Sequence, residues 1–126
     1  MRNRVLLVDD EETIVVAMKR YLTKIGFEVD CAGEMEEAEA LLVGNGGYDL
    51  VIADLALASS AGTEGLEFVR FVKRESPLTR IIMLTAHGSS QIEQEARRRG
   101  VDIFLQKPRP LADIASIAAQ LVGAPS

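Results

Sequence analysis

Short apolar runs alternate with stretches of helical spacing along the whole chain. Val5-Leu-Leu-Val8, Leu50-Val-Ile-Ala53 and Ile81-Ile-Met-Leu84 are continuously apolar, Glu28-Val-Asp-Cys-Ala32 alternates, and Asp102-Ile-Phe-Leu105 closes the series. Runs of this length bounded by polar or breaking residues predict strands. Between them, Ile14, Met18, Tyr21, Leu22 and Ile25 recur at helical spacing, as do Met35, Ala38, Leu41 and Leu42. Leu66, Val69 and Val72 mark a third helix, and Leu111, Ile114, Ala118 and Leu121 a fifth. Ser89–Arg99 predicts a fourth helix with a thin apolar face, little beyond Ile92 and Ala96. Gly26, Gly44-Asn-Gly-Gly47, Pro77 and Gly100 punctuate the pattern, and Pro110 opens the last helix.

Regular alternation of strand and helix predicts an α/β fold, a parallel sheet with helices on both faces. Continuous apolar runs suit central strands buried on both sides, whereas the alternating 28–31 segment suits an edge. Of the common doubly wound arrangements, the five-stranded order 2-1-3-4-5 puts that segment at an edge.

The chain has 126 residues, 48% of them hydrophobic and 26% charged, so it is expected to form one domain over 1–126. Gly123-Ala-Pro-Ser126 reads as a linker stub or a frayed end. The net charge of −5 argues against direct nucleic-acid binding, which needs a basic face. No apolar run is long enough to span a bilayer, and MRNRVLLVDDEE does not read as a signal peptide. A single cysteine, Cys31, excludes an internal disulfide, fits a reducing compartment and is expected to fill the core. One His and one Cys leave no basis for a structural zinc site. Together these features point to a cytoplasmic protein.

The residues that follow the strands carry the chemistry. Asp9-Asp10-Glu11 follows the first, Asp54 the third, Thr85-Ala86 the fourth and Lys107-Pro108 the fifth. In an open parallel sheet, ligands bind at the carboxyl ends of strands where the order reverses, here between the first and third strands. Asp9, Asp10 and Asp54 are therefore expected to meet, with Thr85 and Lys107 on the far side of Asp54. At an effective dielectric near 20, two carboxylates about 4 Å apart repel by about 4 kcal/mol. A divalent cation relieves this, and an all-oxygen, incomplete cage suits Mg²⁺. The Lys107 ammonium, the Thr85 hydroxyl and backbone N–H groups after the strands would hold an anion beside the metal. Cation, carboxylate nucleophile and anion cradle together describe phosphoryl transfer to an aspartate.

On VLLVDDEE, DLVIAD, MLTA, EARRRGVDIFLQKP and the final apolar helix, in this order, the chain resembles the receiver domain of two-component response regulators. The resemblance implies a flavodoxin-like, three-layer (βα)5 sandwich. It makes Asp54 the phosphoacceptor, taking phosphate from a phosphohistidine of a sensor histidine kinase or phosphotransfer protein. Asp10, Asp54 and the Ala56 carbonyl would ligate Mg²⁺, with Asp9 positioning it through water. Lys107 and Thr85 would contact phosphoryl oxygens, as would the backbone of Ala56 and Ala86. Phe104 would be the switch aromatic that turns inward as Thr85 moves, and Lys107–Pro108 would be cis. Phosphorylation would switch the surface of the fourth helix, fifth strand and fifth helix for an output partner. Such a domain is no enzyme toward other molecules, but catalyses its own phosphorylation and dephosphorylation.

The chain also departs from the family pattern. Gly65-Leu-Glu67 starts eleven residues after Asp54 where receivers usually need about eight, a proline position holds Ala58, and Arg109 stands where Phe is frequent. A receiver-like interaction module working without phosphorylation is the competing reading, and the longer loop is its support. A haloacid-dehalogenase-like phosphatase would need Asp-x-Asp-x-Thr, which Asp9-Asp-Glu-Glu-Thr13 lacks. A flavodoxin phosphate loop would be repelled by Asp9, Asp10 and Glu11.

Each residue also has a plainer role. The aspartates could cap helices, Thr85 could be a strand end and Phe104 core. His87 could be a loop residue, and Ser59, Ser60 and Thr63 could be loop solvation. Arg97-Arg-Arg99 fits a solvated helix end favoured by the dipole, or a contact with an acidic partner. On the last helix, Ala112, Ala115 and Ala119 form a small-residue face, which fits helix propensity alone or a close-packed contact with another chain, such as a homodimer.

Overall fold

A computed structural model describes residues 3–44, 47–54, 63–86 and 89–123. Its elements alternate throughout: β1 (Arg4–Val8), α1 (Glu12–Lys24), β2 (Glu28–Ala32), α2 (Met35–Gly44), β3 (Leu50–Asp54), α3 (Thr63–Glu75), β4 (Arg80–Thr85), α4 (Ser90–Arg98), β5 (Ile103–Gln106) and α5 (Leu111–Val122). The strands pair in parallel in the order β2-β1-β3-β4-β5, as the hydrophobic pattern predicts. Strand limits move outward by a residue where ladder bonds extend past the apolar run, so β3 includes Asp54 and β4 includes Thr85.

Alternate strand residues feed two separate cores. Leu6, Val8, Val51, Ala53, Ile81, Met83 and Phe104 face α2, α3 and α4, where they meet Phe68, Val69, Val72 and Ala96. Val5, Leu7, Leu50, Ile52, Ile82, Leu84 and Leu105 face α1 and α5, where they meet Met18, Leu22, Ile114 and Ala118. The central strands are buried from both sides, which is why their sequences are continuously apolar.

Three expectations change in detail. Cys31 is half-buried, because β2 is an edge strand with no neighbour on one flank; partial burial pushes its thiol pKa up. Ala115 and Ala119 are buried against the chain's own sheet, and only Ala112 of the small-residue trio is exposed. They do not form an outward face. Arg97, Arg98 and Arg99 are not simply solvated: they pair with Glu93, with Glu95 and with Glu95 and Glu67 respectively.

Ser89 caps α4, its hydroxyl accepting from the Ile92 N–H at 3.2 Å. The helix ends at Gly100, whose φ of +115° only glycine adopts readily. A β-carbon there would lie 2.9 Å from Lys73 Cγ, and the Lys73 Nζ is held by the Thr79 carbonyl at 2.6 Å, so the stem cannot swing away freely. Gly100→Ala is expected to lower stability by roughly 1–3 kcal/mol, read as a lower urea midpoint at unchanged m-value.

Candidate functional site

The register brings the polar strand ends to one edge of the sheet. Val8 pairs with Ala53, so Asp9 leaves β1 beside Asp54 at the end of β3. Asp54 pairs with Leu84, which puts Thr85 one residue further on, and Thr85 pairs with Gln106, immediately before Lys107. The Lys107 backbone N–H donates to the Thr85 carbonyl at 2.7 Å, fixing the two residues together. The Lys107–Pro108 peptide is cis, as expected.

Lys107 is the centre of the charge arrangement. Its Nζ donates to Asp54 Oδ2 at 3.0 Å and Asp9 Oδ2 at 3.1 Å, with Glu11 Oε1 at 4.0 Å. Burial alone would push its pKa down; the hydrogen bonds to Asp54 and Asp9 outweigh it and hold the ammonium above its usual value. Asp9 is 3% exposed and Asp54 8%. The other Asp9 oxygen accepts the Glu11 N–H at 2.9 Å, so protein donors meet both of its oxygens.

Asp10 is exposed and completes the acidic set. One oxygen each of Asp9, Asp10 and Asp54 lie within 4.8 Å of one another. Three hard oxygen donors at that spacing, on an edge open to water, fit a divalent metal of the Mg²⁺ or Ca²⁺ kind. One ammonium balances only part of the negative charge of these carboxylates, and a second cation would relieve the remainder.

Thr85 is buried at 2% exposure beside this set. Phe104 is buried in the α2–α4 core, its strand position opposite Met83. It therefore occupies an inward position, which satisfies the plain core reading on its own. Ala86 lies at the site edge and is exposed. Ala56 and the loop that follows Asp54, including Ala58, Ser59 and Ser60, lie outside the described residues, as does His87.

The sequence reading missed an apolar cavity of about 340 Å³ that abuts Lys107 on the α1–α5 side. Ile14, Met18, Leu111 and Ile114 wall it, and Arg109 stands at its rim. Those four apolar residues carry the helical periodicity of α1 and α5, a signal that does not distinguish a filled core from a cavity wall.

Comparison with known proteins bears on the family and the fold. The family model described as the response regulator receiver domain matches residues 5–119. The transcriptional regulatory protein SrrA of Staphylococcus aureus is 36% identical over 108 residues, 86% of this chain and 43% of that protein. The chain thus spans less than half the length of this relative. A CheY-like receiver domain protein from Methanospirillum hungatei shares the fold at a TM-score of 0.87 with 23% identity, over 98% of this chain and 95% of that one. A response regulator from Burkholderia pseudomallei, solved with a phosphorylated aspartic acid, a calcium ion and citrate, is 26% identical at a TM-score of 0.79, over 98% and 75% of the two chains.

Proposed function

Because the chain belongs to the response regulator receiver domain family, we propose that it is a phosphorylation switch whose acceptor is Asp54. The observation that carries this reading is the shared ammonium. Lys107 reaches both Asp54 and Asp9 within 3.1 Å, beside a third carboxylate and a buried threonine. The phosphorylated aspartic acid and calcium ion of the Burkholderia protein support the same assignment here.

An Asp54 oxygen attacks the phosphorus of a phosphohistidine on a sensor histidine kinase or phosphotransfer protein. The P–O bond forms as the P–N bond breaks, and the electron pair leaves on the imidazole, which takes a proton. Lys107 neutralises charge on the transferred group, and the Thr85 hydroxyl and the backbone of Ala56 and Ala86 donate to its oxygens. Asp10, Asp54 and the Ala56 carbonyl would hold Mg²⁺, with Asp9 beside them, and the metal would supply charge neutralisation to the phosphoryl oxygens. Hydrolysis of the aspartyl phosphate uses the same residues with water as the nucleophile. Thr85 engaging the phosphoryl group then biases Phe104 and the α4–β5–α5 face toward a second arrangement, read by an output partner.

The test uses the protein as it stands. Incubated with acetyl phosphate and Mg²⁺, it is expected to gain one phosphate by intact mass, and to gain none when EDTA removes the metal. A wild type that stays unmodified under these conditions overturns the reading in favour of an interaction module that needs no phosphate.

A further inference from the structure

The helix α4 buries few apolar side chains and carries several ion pairs at its C-terminal end. Its only buried residue is Ala96, and Ile92 is partly buried against the α2–α4 core. The neighbouring helix α3 is anchored by Phe68, Val69 and Val72, each at most 1% exposed. Between these unequal helices stands Arg99. Its Nη1 donates to Glu67 Oε1 on α3 at 3.2 Å, and its Nε donates to Glu95 Oε2 on α4 at 2.9 Å. Glu95 in turn accepts from Arg98 at 2.9 Å. The hydrogen bond to Arg99 holds the Glu95 carboxyl below the usual carboxylate range.

The other pairs at this end differ in kind. Arg97–Glu93 and Arg98–Glu95 are three or four residues apart and stay within α4, although Arg97 Nη1 also donates to the Asp102 carbonyl ahead of β5 at 3.4 Å. They support the helix but do not fix where it sits. The Arg99–Glu67 pair spans 32 residues and joins two elements. Glu67 lies in the second turn of α3, next to the fully buried Phe68, so its backbone is anchored while its side chain is exposed. Further along α3, Lys73 lies over Gly100, two residues past the end of α4.

We propose that Arg99 is a latch: by pairing with Glu67 it holds α4 in its resting seat, where apolar packing is too small to do so alone, and its release eases rearrangement of the α4–β5–α5 face. The second half rests on the switch reading above; the first does not. This gives α4 a restraint on the α3 side, separate from Thr85 and Phe104. In energetic terms the latch is a modest bias. A partly exposed ion pair shifts a local equilibrium by roughly two- to fivefold, which matters because Ala96 and Ile92 are the only apolar side chains that α4 packs inward.

Two measurements test it on Glu67→Gln, Arg99→Gln and the double variant. Hydrogen exchange across residues 89–99 is expected to quicken by roughly two- to fivefold in either single variant, with exchange in α5 unchanged. The double variant is expected to add nothing beyond Arg99→Gln, because one pair is lost once. Beryllofluoride with Mg²⁺, a mimic of the phosphoryl group, is then expected to bind the variants more tightly by a similar factor, since binding and α4 release are linked. Unchanged exchange in Glu67→Gln, or additive effects in the double variant, overturns the latch. Faster exchange with unchanged beryllofluoride affinity overturns its coupling to the switch. A wild type that never binds beryllofluoride overturns the switch reading and the coupling with it, while the exchange arm still decides the latch.

Discussion

Asp54→Asn is expected to leave a folded protein that takes up no phosphate from acetyl phosphate and Mg²⁺. Asparagine keeps the shape of the side chain and an oxygen able to accept from Lys107, 3.0 Å away in the wild type. What it loses is the anionic oxygen that, in the proposed function, attacks phosphorus and ligates a divalent cation. Removing a nucleophile costs on the order of 10³-fold or more in rate, so labelling should fall below detection by intact mass. Folding should survive for a physical reason. The substitution removes one of three mutually repelling carboxylates, which offsets the weaker bond to Lys107, and thermal melting should stay close to wild type. Labelling of the Asp54→Asn variant at the wild-type rate would mean that the acceptor lies elsewhere.

Lys107→Ala is expected to be costly in two ways. Its side chain is 15% exposed and its ammonium pairs with Asp9 and Asp54. Removing the cation from a buried cluster leaves the repulsion between its carboxylates less balanced, at a cost of roughly 3 kcal/mol. The variant should therefore melt well below wild type in metal-free buffer and show little or no phosphorylation. Mg²⁺ should recover more of its stability than it adds to the wild type, because the metal no longer competes with a resident cation. The pH dependence follows from the raised pKa of Lys107. A cation whose folded value lies above its unfolded one stabilises fully below the unfolded value. That contribution fades as pH climbs through the folded value. The gap between variant and wild type should thus be constant near neutrality and narrow only above the usual lysine value of 10.5. A variant with wild-type melting and the same Mg²⁺ response would refute the bridging role.

Much of this is readable in the order of residues alone. The strands declare themselves because burial on both faces forbids polar residues, as in Val5–Val8 and Ile81–Leu84. The acidic set and Lys107 are legible because strand order alone dictates which chain ends meet. Other features depend on distances that no local pattern encodes. That Lys107 bridges two carboxylates at once, or that Arg99 reaches Glu67 across 32 residues, depends on side-chain reach between elements. Alanine misleads for a simpler reason. In α5 it occurs at buried Ala115 and exposed Ala112 alike, since a methyl group suits either place, so an apparent outward stripe is an inward one. Cys31 is less covered than a core position for a related reason, because an alternating edge strand supplies only one covered flank.

The sheet also divides the protein's inheritance. Val5 and Leu7 answer to α1 and α5, while Leu6 and Val8, their immediate neighbours, answer to α2, α3 and α4. Side chains on opposite sides of the strands have few shared neighbours, so replacements on one side place little constraint on the other. Packing beneath α4 can therefore be revised with little constraint from the packing beneath α1 and α5. Evolution of such a chain has two nearly independent ledgers, written on alternate letters of the same strands.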